Sequence, residues 1–127
     1  MNDKKLWIII SAISGFTAVA IGAFGAHGLK EKLSSEMLEI YKTGVLYQLI
    51  HSVVLLALSL NTLIKAKLPL IFFLLGIILF SFSLYIYSTS GIRFFAMITP
   101  LGGFCFLIGW LFIIYETIKI KSNDDFN

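Results

Sequence analysis

The sequence predicts an all-α integral membrane protein, a bundle of four membrane-spanning helices. First, 58% of its 127 residues are hydrophobic and only 13% are charged, whereas soluble domains have about 45–50% apolar and about 25% charged residues. Second, a soluble domain of this size could not bury so much apolar surface. Third, the chain contains four runs without Lys, Arg, Asp or Glu, each long enough for the roughly 20 residues of a spanning helix. These runs are residues 6–26, 44–64, 70–90 and 94–115.

The first run is open to two interpretations, a retained span or a cleaved signal peptide. It follows Lys4 and Lys5 and ends in small residues, as signal peptides do. Its apolar part is longer than the about 7–15 residues of a signal-peptide core, which favours a retained span.

Small residues also form a stripe along one helical face of the first run. The stripe consists of Ser11, Gly15, Ala18, Gly22 and Gly25. Small residues let membrane helices approach closely. We therefore expect the stripe to pack against another helix rather than to hold a ligand, and Gly102 and Gly109 to do the same more weakly in the fourth run.

Residues 35–43 are predicted to form a short interfacial helix that leads into the second run, with a possible bend at Gly44. Ser34 and Ser35 are candidate N-caps, and Glu36 falls in the first turn, where the helix dipole favours an acid.

Polar residues inside the runs form the candidate site. Gln48 and His51 are three residues apart and share a face of the second run, and polar groups at such depth usually face other helices and are paired. With alternating helix directions, the cluster falls in the outer half of the bundle. Its members are His27, Gln48, His51, Tyr85, Ser88 and Thr99. Two interpretations remain open: hydrogen bonds that fix helix register, or a small cavity for a proton, an ion or a polar ligand.

Pro100 in the fourth run also has two interpretations. It either breaks the helix at a transporter-like binding site, or begins the span after a short interfacial helix at residues 94–98. The second interpretation is favoured because a proline at a helix start loses no hydrogen bond.

His27 stands at the end of the first run, directly before Gly28. A positive φ at Gly28 would suit a helix C-cap, and His27 would then interact with the helix dipole. The alternative is a contact between His27 and the face that carries Gln48 and His51.

Lysines favour cytoplasmic N- and C-termini. Lys and Arg on the side of the termini outnumber those on the other side, in agreement with the positive-inside rule. The first set is Lys4, Lys5, Lys65, Lys67, Lys119 and Lys121, and the second is Lys30, Lys32, Lys42 and Arg93.

Juxtamembrane lysines account for the net charge of +3, so no nucleic-acid partner is expected. No catalytic triad, metal-ligand spacing or phosphate-binding loop is present in the sequence, so we expect neither an enzyme nor a metal or other cofactor.

Several motifs in order resemble the YgdD/YwdK-like family of small bacterial membrane proteins, a domain of unknown function. The motifs are residues 22–29 (Gly-Ala-Phe-Gly-Ala-His-Gly-Leu), Tyr47-Gln48 with His51, Phe80-Ser81 before Ser83-Leu84-Tyr85, and residues 98–103 (Ile-Thr-Pro-Leu-Gly-Gly) with Gly109-Trp110. The resemblance covers residues 5–118 and implies a multi-pass protein of the bacterial cytoplasmic membrane with a retained first span. Phe82 stands where this family has a small residue, which puts close packing at that face in doubt.

Two functions are compatible with these features. The preferred one is a non-enzymatic protein of the bilayer that acts in membrane assembly or homeostasis, as a homo-oligomer or with other membrane proteins. The alternative is a small transporter or channel component, in which His51 titrates while Gln48 and Tyr85 orient a ligand.

Overall fold

The computed structural model describes the backbone of residues 2–124 and the side chains of residues 2–120. Within this part of the chain all regular structure is helical. The elements are α1 (Asp3–His27), α2 (Ser35–Leu60), α3 (Lys67–Gly76), a π-helical segment (Ile77–Phe82), α4 (Ser83–Ser90) and α5 (Arg93–Asp124). α3, the π-helical segment and α4 follow one another without a loop and form the third span, Lys67–Ser90. Each of the four spans is long and apolar enough to cross a membrane, which confirms the predicted class.

α2 begins earlier and ends earlier than the second apolar run. Ser34 caps its start by accepting a hydrogen bond from the Met37 N–H (3.2 Å), and the helix continues past Gly44 without interruption. Residues 35–43 are therefore the first part of α2 rather than a separate helix, and the expected bend at Gly44 is absent. Asn61 ends α2 because its side-chain oxygen accepts the N–H groups of Leu63 (2.8 Å) and Ile64 (2.9 Å).

α5 runs continuously from Arg93 through Pro100, so the expectation that the fourth span begins at Pro100 is wrong. Pro100 has no N–H, so the Ala96 carbonyl four residues earlier loses its usual helical donor, yet the helix is not interrupted. The neighbouring Thr99 hydroxyl lies 3.3 Å from the Phe95 carbonyl oxygen and 2.6 Å from the Ser83 hydroxyl, which ties this part of α5 to the third span.

α1 ends at His27 with Gly28 as its C-cap, but the expected positive φ at Gly28 is wrong. Its φ is −91°, and its N–H donates to the Phe24 carbonyl (2.6 Å). A side chain at Gly28 would collide with the Phe24 ring, since a Cβ there would lie 2.9 Å from it. The positive φ occurs instead at Gly91 (71°), where α4 turns into α5.

The spans pack in chain order: α1 on α2, α2 on the third span, and the third span on α5. The small-residue stripe of α1 faces α2 of the same chain. A Cβ at Gly22 would lie 3.0 Å from Val45, and a Cβ at Gly25 would overlap the Tyr41 ring. The stripe is therefore covered inside the molecule.

Glycines make the other two contacts close as well. Gly44 of α2 lies against the Tyr85 ring, and a Cβ added at Gly44 would be 2.7 Å from that ring. Gly109 of α5 lies against the Phe73 ring, and a Cβ added there would be 2.8 Å from it. Gly102 is the most constrained of these residues, because a Cβ there would overlap the backbone of Phe80. Its neighbour Gly103 has room, with Phe80 the nearest side chain at 3.9 Å.

Gly102 and Gly103 form a matched pair for testing this packing. We expect Gly102→Ala to destabilise the protein by about 1–3 kcal/mol, the typical cost of overpacking, because a backbone segment must move. Gly103→Ala should not lower stability, since its methyl group makes only an ordinary van der Waals contact with Phe80 and alanine favours a helix. Thermal unfolding of both variants in mild detergent provides the measurement. Equal losses in the two variants would contradict the packing described for Gly102.

Candidate functional site

Gln48 lies at the centre of a hydrogen-bond network that joins three spans. Its side chain is 1% exposed. Its amide nitrogen donates to the Ser14 carbonyl (3.0 Å) and to the Thr17 hydroxyl (2.9 Å), both on α1. Its amide oxygen accepts a hydrogen bond from the Tyr85 hydroxyl (2.7 Å) on α4. One side chain thus ties α2 to the helices on either side of it.

The orientation of the Gln48 amide follows from its partners. The Ser14 carbonyl oxygen can only accept, so the amide group that faces it must be the NH₂. The oxygen then faces Tyr85, whose hydroxyl can donate to it. Both amide protons and the amide oxygen are engaged, which offsets much of the cost of placing this group among apolar helices.

Serine and tyrosine hydroxyl groups extend the same network. The hydroxyl oxygens of Ser14 and Ser52 lie 2.6 Å apart and form a hydrogen bond across the α1–α2 contact. Ser81 of the π-helical segment donates to the Gly44 carbonyl (2.7 Å), and Tyr41 donates to the Ile21 carbonyl (2.6 Å). None of the buried side-chain nitrogen and oxygen atoms in the described residues lacks a hydrogen-bond partner.

Sequence reasoning missed five members of this network: Ser14, Thr17, Tyr41, Ser52 and Ser81. Ser14 and Thr17 are three residues apart on one face of α1, and Ser52 follows Gln48 by one helical turn. These spacings were a usable signal. Because α2 begins at Ser35, Gln48 lies near the middle of this helix, and the placement of the polar groups in the outer half of the bundle stays a prediction.

His51 faces a separate cluster of aromatic rings between α2, the third span and α5. It is 5% exposed and stacks on Phe106, with ring centroids 3.8 Å apart and planes at 14°. The Trp110 indole N–H donates to His51 Nε2 at 3.3 Å, and His51 Nδ1 lies 2.8 Å from the Tyr47 carbonyl oxygen.

This arrangement selects one form of the His51 ring. Nε2 accepts from Trp110, so the proton resides on Nδ1 and is donated to the Tyr47 carbonyl. A second proton on Nε2 would point at the indole N–H. The contacts therefore suit a neutral imidazole that links α2 to α5.

The other predicted site residues do not join Gln48. Ser88 is buried and bonds to the Tyr85 carbonyl of its own helix (3.1 Å), and Thr99 pairs with Ser83. His27 is exposed at the end of α1 and forms no hydrogen bond with the described side chains. Its alternative contact with Gln48 and His51 is not formed. The predicted cluster therefore divides into four parts: Gln48 with Tyr85 and Ser88, His51, Thr99, and His27.

Two recesses border these groups. The α2–α5 groove, about 380 Å³ in volume, is lined by His51, Phe80, Gly103, Phe104, Phe106 and Trp110, among others. The α1–π groove, about 230 Å³, lies between α1 and the π-helical segment and reaches Thr17 and Gln48. Phe82 lines this second groove and is partly exposed, so its bulk does not separate two packed helices.

The fold and the buried polar network define a small multi-pass membrane protein. Comparisons with known proteins then show its family. A family model described as "Protein of unknown function (DUF423)" matches residues 21–103. The chain belongs to this family of bacterial membrane proteins, and the predicted resemblance is confirmed.

Three relatives illustrate the similarity. The chain is 41% identical to a UPF0382 membrane protein of Haemophilus influenzae, over 94% of the chain and 98% of the relative. It is 40% identical to the UPF0382 membrane protein YwdK of Bacillus subtilis, over 91% of the chain and 98% of the relative. It is 36% identical to the UPF0382 inner membrane protein YgdD of Escherichia coli, over 93% of each. No solved structure matches the chain significantly. The bacterial membrane location is thereby confirmed, while the cytoplasmic placement of the termini stays a prediction.

The two histidines test which polar groups hold the fold. We expect His51→Leu to lower the unfolding free energy by about 0.6–2 kcal/mol, the range for hydrogen bonds between membrane helices. His27→Leu should leave stability unchanged, because its side chain is exposed and unbonded. Unfolding in detergent, followed by circular dichroism, measures both. A larger loss for His27→Leu than for His51→Leu would contradict these contacts.

Proposed function

We propose that this chain is a non-enzymatic membrane protein that acts by lateral association inside the bilayer, with a second copy or another membrane protein. The observation that carries the proposal is the use of the buried polar groups. Gln48, Tyr85 and their partners bond to one another, so a polar substrate would have to break these bonds to bind. The connections between the described spans are also short, at residues 28–34, 61–66 and 91–92.

The small-residue stripe of α1 gives this proposal no support, because α2 of the same chain covers it. The α2–α5 groove offers a different surface. Helices associate in membranes by close packing and by occasional polar contacts. The groove combines a recess above Gly103 with exposed apolar side chains at Phe104 and Leu107. A ridge on a partner helix could pack there more closely than flexible lipid chains.

Photo-crosslinking in native membranes tests this proposal. A crosslinking amino acid at Leu107 in the groove should give a protein adduct of defined mass, which identifies a second copy or another protein. The same group at Ile9, exposed on α1, should give lipid adducts only.

A matched pair of variants provides the control. Gly103→Leu fills the groove and should reduce the adduct severalfold, whereas Ala20→Leu places the same side chain at an exposed position of α1 and should not. Equal protein adducts from Leu107 and Ile9, or none from Leu107, would contradict association through the groove.

Transport is the second candidate, and the α1–π groove favours it. This groove brings a recess to Thr17 and Gln48 near the middle of the helices, beside a π-helical segment. π-Helical turns occur often at functional sites. A transporter that uses this groove should give flux in proteoliposomes that falls in Thr17→Val, whereas a protein that acts by association should give no flux above that of empty liposomes.

A further inference from the structure

A third recess, at the opposite end of α2 from Ser35, differs chemically from the two grooves. The start of α1, the end of α2 and the start of α3 meet around a pocket of about 260 Å³. Polar and charged side chains line its rim, and apolar ones line its floor. The rim includes Asp3, Lys4, Asn61 and Lys67, and the floor includes Trp7 and Leu70. We call it the Lys4–Lys67 pocket.

The two lysines are available to a ligand. Both are exposed, and the hydrogen bonds of the described side chains include none from either ammonium group. Among the described residues, the ion pair that forms joins Lys42 and Glu39 (3.2 Å), away from this pocket. Asp3 is the one acidic side chain on the rim, so the pocket carries a net positive charge.

Backbone groups add to this charge. α3 has Ala66 at its N-cap position, and no side chain caps its first N–H groups. The first N–H groups of a helix have no partner within the helix and carry a partial positive charge. Asn61 adds no charge because its amide is neutral, and its oxygen already accepts the N–H groups of Leu63 and Ile64.

The position of the pocket identifies the source of an anion. It lies at the ends of three spans, at the depth of the lipid headgroups. Trp7 is partly buried against the core there, and tryptophan is enriched at membrane–water interfaces. The apolar floor formed by Trp7, Leu58 and Leu70 suits a glycerol backbone and acyl chains better than a free, fully hydrated phosphate.

We propose that the Lys4–Lys67 pocket binds the phosphate group of an anionic phospholipid, with Lys4 and Lys67 as its cationic partners and the acyl chains lying along the floor. Basic pockets between membrane helices bind anionic headgroups in this way. The proposal is independent of the groove between α2 and α5, and its test uses other residues.

Native mass spectrometry of the full chain in mild detergent tests the proposal. With phosphatidylglycerol and phosphatidylcholine of equal chain length, we expect preferential retention of phosphatidylglycerol. Retention should fall roughly fivefold for each of Lys4→Gln and Lys67→Gln. The control Lys30→Gln likewise removes one positive charge, beyond the other end of α1, and should change nothing.

Three outcomes would overturn the proposal. Equal retention of the two lipids would show that the pocket does not prefer a negatively charged lipid. An equal loss of phosphatidylglycerol in the control variant would show only a general attraction between the positively charged protein and this lipid. Thermal stabilisation by inorganic phosphate equal to that by phosphatidylglycerol would show a site for free anions. Because both lysines are exposed, their variants should fold, and thermal unfolding without lipid verifies this.

Discussion

The amide group of Gln48, buried among apolar helices, is the constraint on which the rest of the fold depends. In hydrocarbon no water is available, so each buried polar group must find a partner within the protein. Gln48 meets this requirement only when α1, α2 and α4 stand at one register, with the Ser14 carbonyl and the Tyr85 hydroxyl on opposite sides of its amide. Apolar packing alone would tolerate several registers, because any apolar face can pack on another.

Glycines make these short hydrogen bonds possible. Gly22 lets α1 approach Val45 of α2, and Gly44 lets α2 approach Tyr85, whose hydroxyl then reaches Gln48. α5 is attached differently, since rings that surround His51 and the close contact at Gly102 replace amide hydrogen bonds. The molecule therefore holds α2 to α1 and α4 through polar contacts of Gln48, and to α5 through the rings around His51. The α2–α5 groove lies beside these rings.

Sequence alone predicted the four spans, because charge-free apolar runs of this length have few alternatives. It also placed Gln48 and His51 on one face of α2. It could not identify the partners, since a stripe of small residues shows which face packs but not which helix covers it. Serines in membrane helices often bond to their own backbone, as Ser11 does to the Trp7 carbonyl (2.7 Å). Spacing could therefore place Ser14 and Ser52 on the packed faces of α1 and α2, but it could not show that their hydroxyl groups bond to each other. Pro100 was misjudged because local propensity favours a helix start, whereas packing against the third span keeps α5 continuous.

A double-mutant cycle between Gln48 and Tyr85 tests the central claim most directly. Unfolding free energies of Gln48→Met, Tyr85→Phe and the double variant give the coupling between the two side chains. The hydrogen bond described here predicts a coupling of about 0.6–1.7 kcal/mol, as found for such bonds in membranes. The cycle that pairs Gln48→Met with Tyr47→Phe provides the control. Additive effects of Gln48→Met and Tyr85→Phe, within about 0.3 kcal/mol, would contradict the role assigned to Gln48.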